Sequence, residues 1–334
     1  MARRDNEHRP QTEEGALSPA TGKARQLQTM NRFAVLFSSL LYASLCQVSL
    51  AADSSRVFYP EQVAWKRVEM TASKFLMSMD AYLELDNLTP DSLESLLILP
   101  LSEAEKAPLG APTQLSYVTD GLGRRTESRL MLDGRRGKAL QRMTLRQGGS
   151  EKYRIYRFSE DRIHRLTWRP GPGEEGKDPD TWSRLSEEYY EYPEMPSGTA
   201  PVVTEASALI YLAAASGMSQ PGEALEALTL ASDEFFLTRL EVRQPEEARV
   251  SYSRVDQRGS SMKIGRVMAI RIAIEARPLD SRDGEDFELF GLSDLELILD
   301  PETRAPLELR GRVDFFGDVA FRLDRLVLAS AKRD

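Results

Sequence analysis

The chain has 334 residues and carries 44 lysines and arginines against 52 aspartates and glutamates, which gives a formal net charge of -8 at pH 7. This acidic balance disfavours the phosphate backbone of a nucleic acid as a partner. A single cysteine, Cys46, and two histidines exclude an intrachain disulfide and a thiolate metal site, and they suggest no metal or other cofactor.

The first predicted element is a signal peptide at residues 30–52. Residues 33–52 contain no charged side chain, are rich in leucine, alanine and serine, and follow the positive charge of Arg32. This order is typical of a secretory leader, with cleavage after Ala52 or one residue earlier. Four serines and Gln47 dilute the apolar run, which favours cleavage over a membrane anchor. We therefore expect export to the periplasm of a Gram-negative-type cell envelope.

Other interpretations of the leader stay open. Cys46 could be the lipidated residue of a lipoprotein leader, although the residue before it is bulky where a small one is usual. Arg3 and Arg4 resemble a twin-arginine signal but lie far from the apolar run. Residues 1–29 are polar and mixed in charge, and Met30 follows them directly, so we interpret 1–29 as an over-extended, disordered start.

Residues 53–334 form the predicted body, either as one β domain or as two halves that meet near 195–202. Short apolar patterns of period two alternate there with clusters of Gly, Pro, Asp and Ser. This spacing predicts a mainly β (β-rich α+β) body built on an antiparallel sheet. Residues 65–85 predict a pair of strands, and the proline-rich segment 86–114 predicts a connection with one helical turn.

Successive hairpins are predicted next. One is centred on the turn at 133–137 and another on the turn at 159–162. A loop rich in Gly, Pro and Asp at 169–181 and a strand at 182–192 follow them. Loops of this composition are exposed and mobile.

The segment 202–216 departs from the strand rhythm. It is rich in alanine, follows Pro201 and stops at Gly217, and its apolar residues are spaced by three and four. These are the start signal, the stop signal and the spacing of a helix with one broad apolar face. We therefore expect a single helix that packs on the sheet.

The C-terminal part carries the clearest strand patterns. Alternating apolar residues predict strands around 236–242 and 268–274, and a three-stranded meander over 295–323. The opposite face of the meander carries charged residues and is expected to meet water. The alternation slips by one residue in the last strand, which predicts a β-bulge near Asp324 and Arg325.

The meander also contains a pattern of an acidic turn, an Arg-x-Pro step into a strand and an aromatic-Gly turn. The residues of this pattern are Asp300, Arg304, Pro306, Phe316 and Gly317. With them, the run 296–328 resembles the closing segment of the family described as domain of unknown function 3108, a group of exported envelope proteins. The likeness covers about residues 200–328 and departs from the family at Leu297 and at 263–266. It implies an envelope location and a curved, half-barrel-like sheet with one packed helix, and it implies no functional residues.

Few residues have the types and spacing that catalysis needs, and we predict no catalytic residue. His164 lies on a predicted strand without a nucleophile or an orienting carboxylate at a recognisable spacing, so we interpret it as structural. The acidic segment 280–286 does not match the spacing of a calcium-binding loop and is interpreted as a solvated turn.

The binding residues that the sequence suggests are aromatic. Trp168, Trp182, Tyr190 and Tyr192 flank the loop at 169–181 and could line a groove, because rings with polar tips suit amphipathic or sugar-like ligands. Tyrosines are also ordinary strand formers, and these could simply cover the helix.

The leading hypothesis is a non-enzymatic periplasmic envelope protein whose curved sheet binds an apolar or amphipathic envelope component, a lipid or a glycan. The alternative is an assembly or scaffold factor that acts through protein–protein contacts. A hydrolase that uses two acidic residues is a third hypothesis, for which the sequence selects no pair.

Overall fold

The computed structural model describes residues 57–74, 77–106, 109–121, 123–195, 201–279, 287–313 and 316–329. The predicted signal peptide with Cys46, the segment 1–29 and the acidic segment 280–286 lie outside the described residues. Within the described ranges, no helix combines the length and the apolar composition that crossing a membrane requires.

Sixteen strands account for most of the described residues. In chain order they are β1 (Trp65–Lys74), β2 (Met77–Asn87), β3 (Pro112–Gly121), β4 (Arg124–Asp133), β5 (Lys138–Gln147), β6 (Lys152–Phe158), β7 (Arg162–Arg169), β8 (Arg184–Glu191), β9 (Val202–Glu205), β10 (Ala224–Ala231), β11 (Glu234–Val242), β12 (Glu246–Asp256), β13 (Gly259–Pro278), β14 (Ser293–Leu299), β15 (Pro306–Val313) and β16 (Gly317–Leu328). The α-helices are α1 (Pro90–Leu96), α2 (Glu103–Lys106) and α3 (Ala208–Ala215).

All sixteen strands belong to one curved sheet. Strands β1 to β8 follow one another as antiparallel neighbours, and β1 also pairs with the last strand, β16. Beyond β16 the order is β15, β14, β13, β11, β10 and β9, with β9 parallel to β10. Strand β12 pairs with β13 and runs parallel to β16. The predicted fold class, a mainly β, antiparallel, curved sheet with one packed helix, is confirmed.

The strand pair at 65–85 and the hairpins around 133–137 and 159–162 are confirmed. The connection at 86–114 contains two short helices, α1 and α2, where one helical turn was predicted. Thr89 begins α1 as its N-cap, and its hydroxyl accepts a hydrogen bond from the Ser92 backbone amide at 3.1 Å.

The predicted helix at 202–216 is wrong in its first half. Residues 202–205 form strand β9, and α3 begins only at Ala208. Two valines and a threonine open the segment, and such β-branched side chains fit a strand better than a helix. All eight residues of α3 are buried, so the helix has no solvent face. A helix that is apolar on every side belongs inside a core.

Arg304 supplies hydrogen-bond donors to the backbone carbonyls at the C-terminal end of α3. Its Nε donates to the Ala214 carbonyl at 3.0 Å, and its Nη2 donates to the carbonyls of Ala213 and Met218, each at 3.0 Å. The last carbonyls of a helix have no partner within the helix and carry partial negative charge. Burial lowers the pKa of Arg304, and these carbonyls take the place of water around its guanidinium group.

The turn between β4 and β5 packs directly on α3. Gly137 has a φ of +68°, and a Cβ there would lie 2.4 Å from Leu212 Cδ2 and 2.8 Å from a Phe58 ring carbon. The Tyr211 hydroxyl donates to the Gly134 carbonyl at 2.9 Å. The same glycine-containing turn that predicted the hairpin therefore also makes room for the helix.

The C-terminal meander and its bulge are confirmed. Glu69 of β1 pairs with Arg325 and Met70 pairs with Leu323, so Asp324 is the extra residue. One expectation about the charged face is wrong: Glu308 is only 8% exposed, because Arg310 and Arg322 bind its carboxylate at 2.7 and 3.3 Å.

Replacing Arg304 by methionine should lower the free energy of unfolding by about 3 kcal/mol, because buried carbonyls at the end of α3 would lose their donors. Urea unfolding followed by circular dichroism measures this loss. Arg184→Met is the control, since Arg184 is exposed on β8, and it should change stability by about 0.5 kcal/mol or less. Equal unfolding midpoints for the two variants would show that Arg304 does not stabilise the helix end.

Candidate functional site

A cavity of about 660 Å³ opens on the inner face of the sheet, the face that packs on α3. Its walls come from β2 to β6, from the junction of β9 and α3, from the β10–β11 turn and from residues 288–291. The lining residues are Met79, Tyr117, Thr119, Gly121, Arg124, Thr126, Arg142, Thr144, Arg146, Lys152, Arg154, Glu205, Ala206, Ser207, Ala231, Ser232, Glu288, Leu289, Phe290 and Gly291. Ligand cavities of proteins have volumes in this range.

The floor of the cavity is basic, although the chain as a whole is acidic. Arg142 and Arg146 alternate on β5, and Lys152 and Arg154 alternate on β6. Because residues two apart on a strand share a face, all four side chains leave the sheet on the same side. Arg146 pairs directly with Lys152 across the two strands.

The cations at the inner end of the floor are neutralised. Arg142 lies 3.0 Å from the buried carboxylate of Glu205, and Arg154 lies 3.1 Å from Asp233. Burial raises the pKa of Glu205, and Arg142 opposes that effect. Burial also acts to raise the pKa of Asp233, but a hydrogen bond from Tyr156 and the charges of two arginines hold it below its usual value.

The cations at the outer end are not neutralised by ion pairs. Among the described residues, no carboxylate forms an ion pair with Arg124, Arg146 or Lys152. Burial, together with the nearby charges of Arg154 and Arg146, lowers the pKa of Lys152 to about 8, and the charge of Asp233 opposes this shift only in part. Like charges directly opposite each other on a sheet are destabilising. This end of the cavity is therefore suited to an anion that would separate the two charges.

The opposite wall of the cavity carries the apolar residues Leu289 and Phe290 next to Glu288. Leu289 and Leu292 form the ends of a tight turn whose central residues, Phe290 and Gly291, have φ angles of +57° and +75°. A positive φ is costly for a bulky residue, so the turn places Phe290 at the cavity against its local preference. The Phe290 ring packs on Tyr117 with centroids 5.2 Å apart. One cavity thus has a cationic floor and an aromatic wall.

The structure does not gather the four predicted aromatic residues into one groove. Trp168 pairs with Leu185, whereas Tyr190 pairs with Ile163, which places the two rings on opposite faces of the β7–β8 pair. The two positions are also about 17 Å apart along the strands. Trp182 directly follows the one-turn 3-10 helix at Pro179–Thr181 that ends the loop at 169–181, and its side chain is buried.

The two tyrosines of β8 and its C-terminal extension have structural contacts. The Tyr190 ring lies 5.0 Å from the guanidinium carbon of Arg165. The Tyr192 hydroxyl donates to the Ser159 carbonyl at 2.9 Å, and its ring packs edge-on against Phe235. These contacts agree with the interpretation that the tyrosines cover the core, and a binding role for the four aromatic residues stays a prediction.

His164 lies on the outer face of β7, away from the cavity. Its Nε2 is 2.6 Å from Glu187, and its ring stacks on Tyr189 with centroids 4.7 Å apart. Hydrogen bonds from Tyr189 and then from His164 lower the pKa of Glu187. Among the described residues, no group of three or more His, Cys, Asp or Glu side chains is arranged to hold a metal ion.

The basic floor was not predicted from the sequence, although part of its signal is readable there. The apolar residues of β5 and β6 predict the hairpins, but the hairpin pattern does not distinguish the cations at alternate positions of the same strands. The Arg-x-Thr-x-Arg run at 142–146 and the Lys-x-Arg run at 152–154 are the signal. Comparison of the chain with protein-family models, curated proteins and solved structures gives no match.

Replacing Lys152 by methionine should stabilise the ligand-free protein. The pKa of Lys152 is about 8 in the folded chain against an ordinary 10.5, so folding disfavours its charged form. The resulting loss of folding stability is fully present below pH 8 and disappears as the pH rises above 10.5. The methionine variant should therefore have the higher urea midpoint at pH 7, and the difference should shrink toward pH 10.5. A variant that is less stable than the parent chain at pH 7 would contradict this assignment.

Proposed function

We propose that the protein is an exported envelope protein that binds an amphipathic anion in the cavity of its inner face. The anionic head group binds to Arg124, Arg146 and Lys152, and the apolar part packs against Phe290 and the neighbouring side chains. The observation that carries the proposal is the direct pairing of Arg146 with Lys152 inside a cavity of about 660 Å³.

The chemistry of the floor favours an anion over a neutral ligand. Charge-assisted hydrogen bonds from arginine and lysine to a phosphate or a carboxylate are roughly twice as strong as neutral ones. Without a ligand, two adjacent cations in a partly buried cavity repel each other, so binding of an anion removes a cost that the free protein bears. A glycan without charge would leave this cost in place.

The apolar wall favours a ligand with a hydrocarbon part. Met79, Tyr117, Leu289 and Phe290 all line the cavity, and contact with them would remove apolar surface of a ligand from water. A simple inorganic anion would use the floor but not the wall. The combination supports an amphipathic ligand, which agrees with the hypothesis drawn from the sequence.

Isothermal titration calorimetry with dodecyl phosphate, dodecyl maltoside and inorganic phosphate tests whether the cavity binds an amphipathic anion. We expect dodecyl phosphate to bind most tightly and with one molecule per chain. The double variant Arg146→Gln/Lys152→Gln should weaken its binding at least about tenfold, since hydrogen bonds to charged groups contribute about 1.5–3 kcal/mol each. The affinity of the parent chain should also fall as the pH rises past about 8, because an anion binds the charged form of Lys152.

The matched control is Arg129→Gln/Arg162→Gln, which makes the same change of net charge on the outer face of β4 and β7. It should bind dodecyl phosphate as the parent chain does. Equal affinity for dodecyl phosphate and dodecyl maltoside, together with no effect of Arg146→Gln/Lys152→Gln, would refute the anion site.

The proposed location rests on the apolar run at 33–52 and on the resemblance to exported envelope proteins. Cell fractionation with mass spectrometry of the mature N-terminus tests it, and we expect a periplasmic product that begins near Asp53. Recovery of the chain from the cytosol with residues 30–52 intact would refute the location without affecting the cavity.

A further inference from the structure

Strand β13 extends beyond the core that its C-terminal half helps to form. Its even-numbered residues from 270 to 274 are buried, and the same apolar pattern continues toward the β12–β13 turn. There, Met268, Ile264 and Met262 are 61%, 76% and 61% exposed. At about 3.3 Å per residue, these three side chains form a strip about 20 Å long, which we call the hairpin strip.

The hairpin strip lies in the most basic part of the described chain's C-terminal half. Between residues 248 and 268, five cations stand against one carboxylate, that of Asp256. The cations are Arg249, Arg254, Arg258, Lys263 and Arg266. The whole chain has a net charge of -8, so this local excess runs against the overall balance.

Two of these cations face each other on the same side of the hairpin as the strip. Arg249 pairs directly with Arg266, and both side chains are exposed. Glu247 binds Arg266 at 2.8 Å, whereas Arg249 has no ion-pair partner among the described residues. Like charges opposite each other on a sheet are unfavourable, and Glu247 forms an ion pair with Arg266 alone among these two arginines.

We propose that this exposed face of the β12–β13 hairpin docks on an anionic lipid bilayer. A surface that combines exposed apolar side chains with lysine and arginine is suited to the membrane interface, where apolar groups enter the acyl boundary and cations meet phosphates. Met262, Ile264 and Met268 enter the boundary, and Arg249, Arg258 and Arg266 bind the head groups. The inference rests on the hairpin alone and is independent of the cavity.

A bilayer fits this surface better than a protein partner does. The strip is narrow because it lies on a two-stranded hairpin, and Arg249 and Arg266 lie on its face. A protein would need an apolar groove edged with carboxylates, whereas an anionic bilayer offers both contacts at any point on its surface. Binding to a protein strand is therefore the competing outcome of the test.

The experiment sediments the full chain with vesicles of phosphatidylcholine alone or of phosphatidylcholine mixed with phosphatidylglycerol. The test variants are Met262→Ser/Ile264→Ser/Met268→Ser and Arg249→Gln/Arg258→Gln, and Val57→Ser/Leu185→Ser is the control at exposed apolar sites elsewhere. Every variant keeps residues 33–52, so differences among them report on the hairpin. In a second measurement, Ile264→Trp is quenched by brominated lipid only if position 264 enters the bilayer.

We expect binding to the mixed vesicles that weakens with salt. The serine variant should lower the partition coefficient at least about tenfold, and each removed cation should lower it about fivefold. The control should partition as the parent chain does. The proposal is overturned if both test variants partition like the control, or if brominated lipid leaves the Ile264→Trp fluorescence unchanged. If the vesicles have no effect, and the parent chain but not the serine variant crosslinks through the hairpin to an envelope protein, the proposal is overturned and the strip is assigned to a protein partner.

Discussion

The fold depends on the enclosure of α3, a helix whose eight residues are all buried. Such a helix cannot lie on a surface, so the sheet has to curve around it and cover every side. Its polar end needs partners within the protein, which Arg304 supplies to the carbonyls of Ala213 and Ala214. Trp65 in turn donates to the Arg304 carbonyl at 3.1 Å. One guanidinium group and one indole therefore connect the helix to the β15 side of the sheet and to β1.

The same enclosure sets the position of the cavity. Strand β9 ends at Glu205, the helix begins at Ala208, and the inner faces of β5 and β6 extend past this point. The Arg142–Glu205 ion pair lies at the boundary between the packed core and the open space. Next to this boundary, Arg154 also forms an ion pair, with Asp233 at 3.1 Å. On the cavity side, Arg146 lies opposite Lys152, and neither forms an ion pair with a carboxylate of the described residues. Such a pair of like charges is a costly arrangement that packing alone does not require.

Local patterns explain how much could be predicted from the sequence. The hairpins, the meander and the bulge at Asp324 follow from the two-residue period and from turn residues, which depend only on neighbours in the chain. The start of α3 was misplaced because alanine content outweighed the β-branched residues at 202–204. The cavity was missed for a different reason: its apolar wall at 289–291 lies more than a hundred residues from its basic floor, and only the curvature of the sheet brings them together. The predicted aromatic groove fails to form because strand register separates Trp168 from Tyr190.

The pairing of β1 with β16 has a consequence for biosynthesis. Residues 65–71 of β1 pair with residues 322–328 of β16, so this pairing cannot form until β16 has been synthesised. Loop closure over such a distance is slow compared with the formation of hairpins, and an N-terminal portion of the chain lacks the neighbour that covers one edge of β1. The nascent chain therefore cannot complete its sheet before residues 322–328 have been synthesised, and its earlier hairpins stay accessible to chaperones throughout that interval.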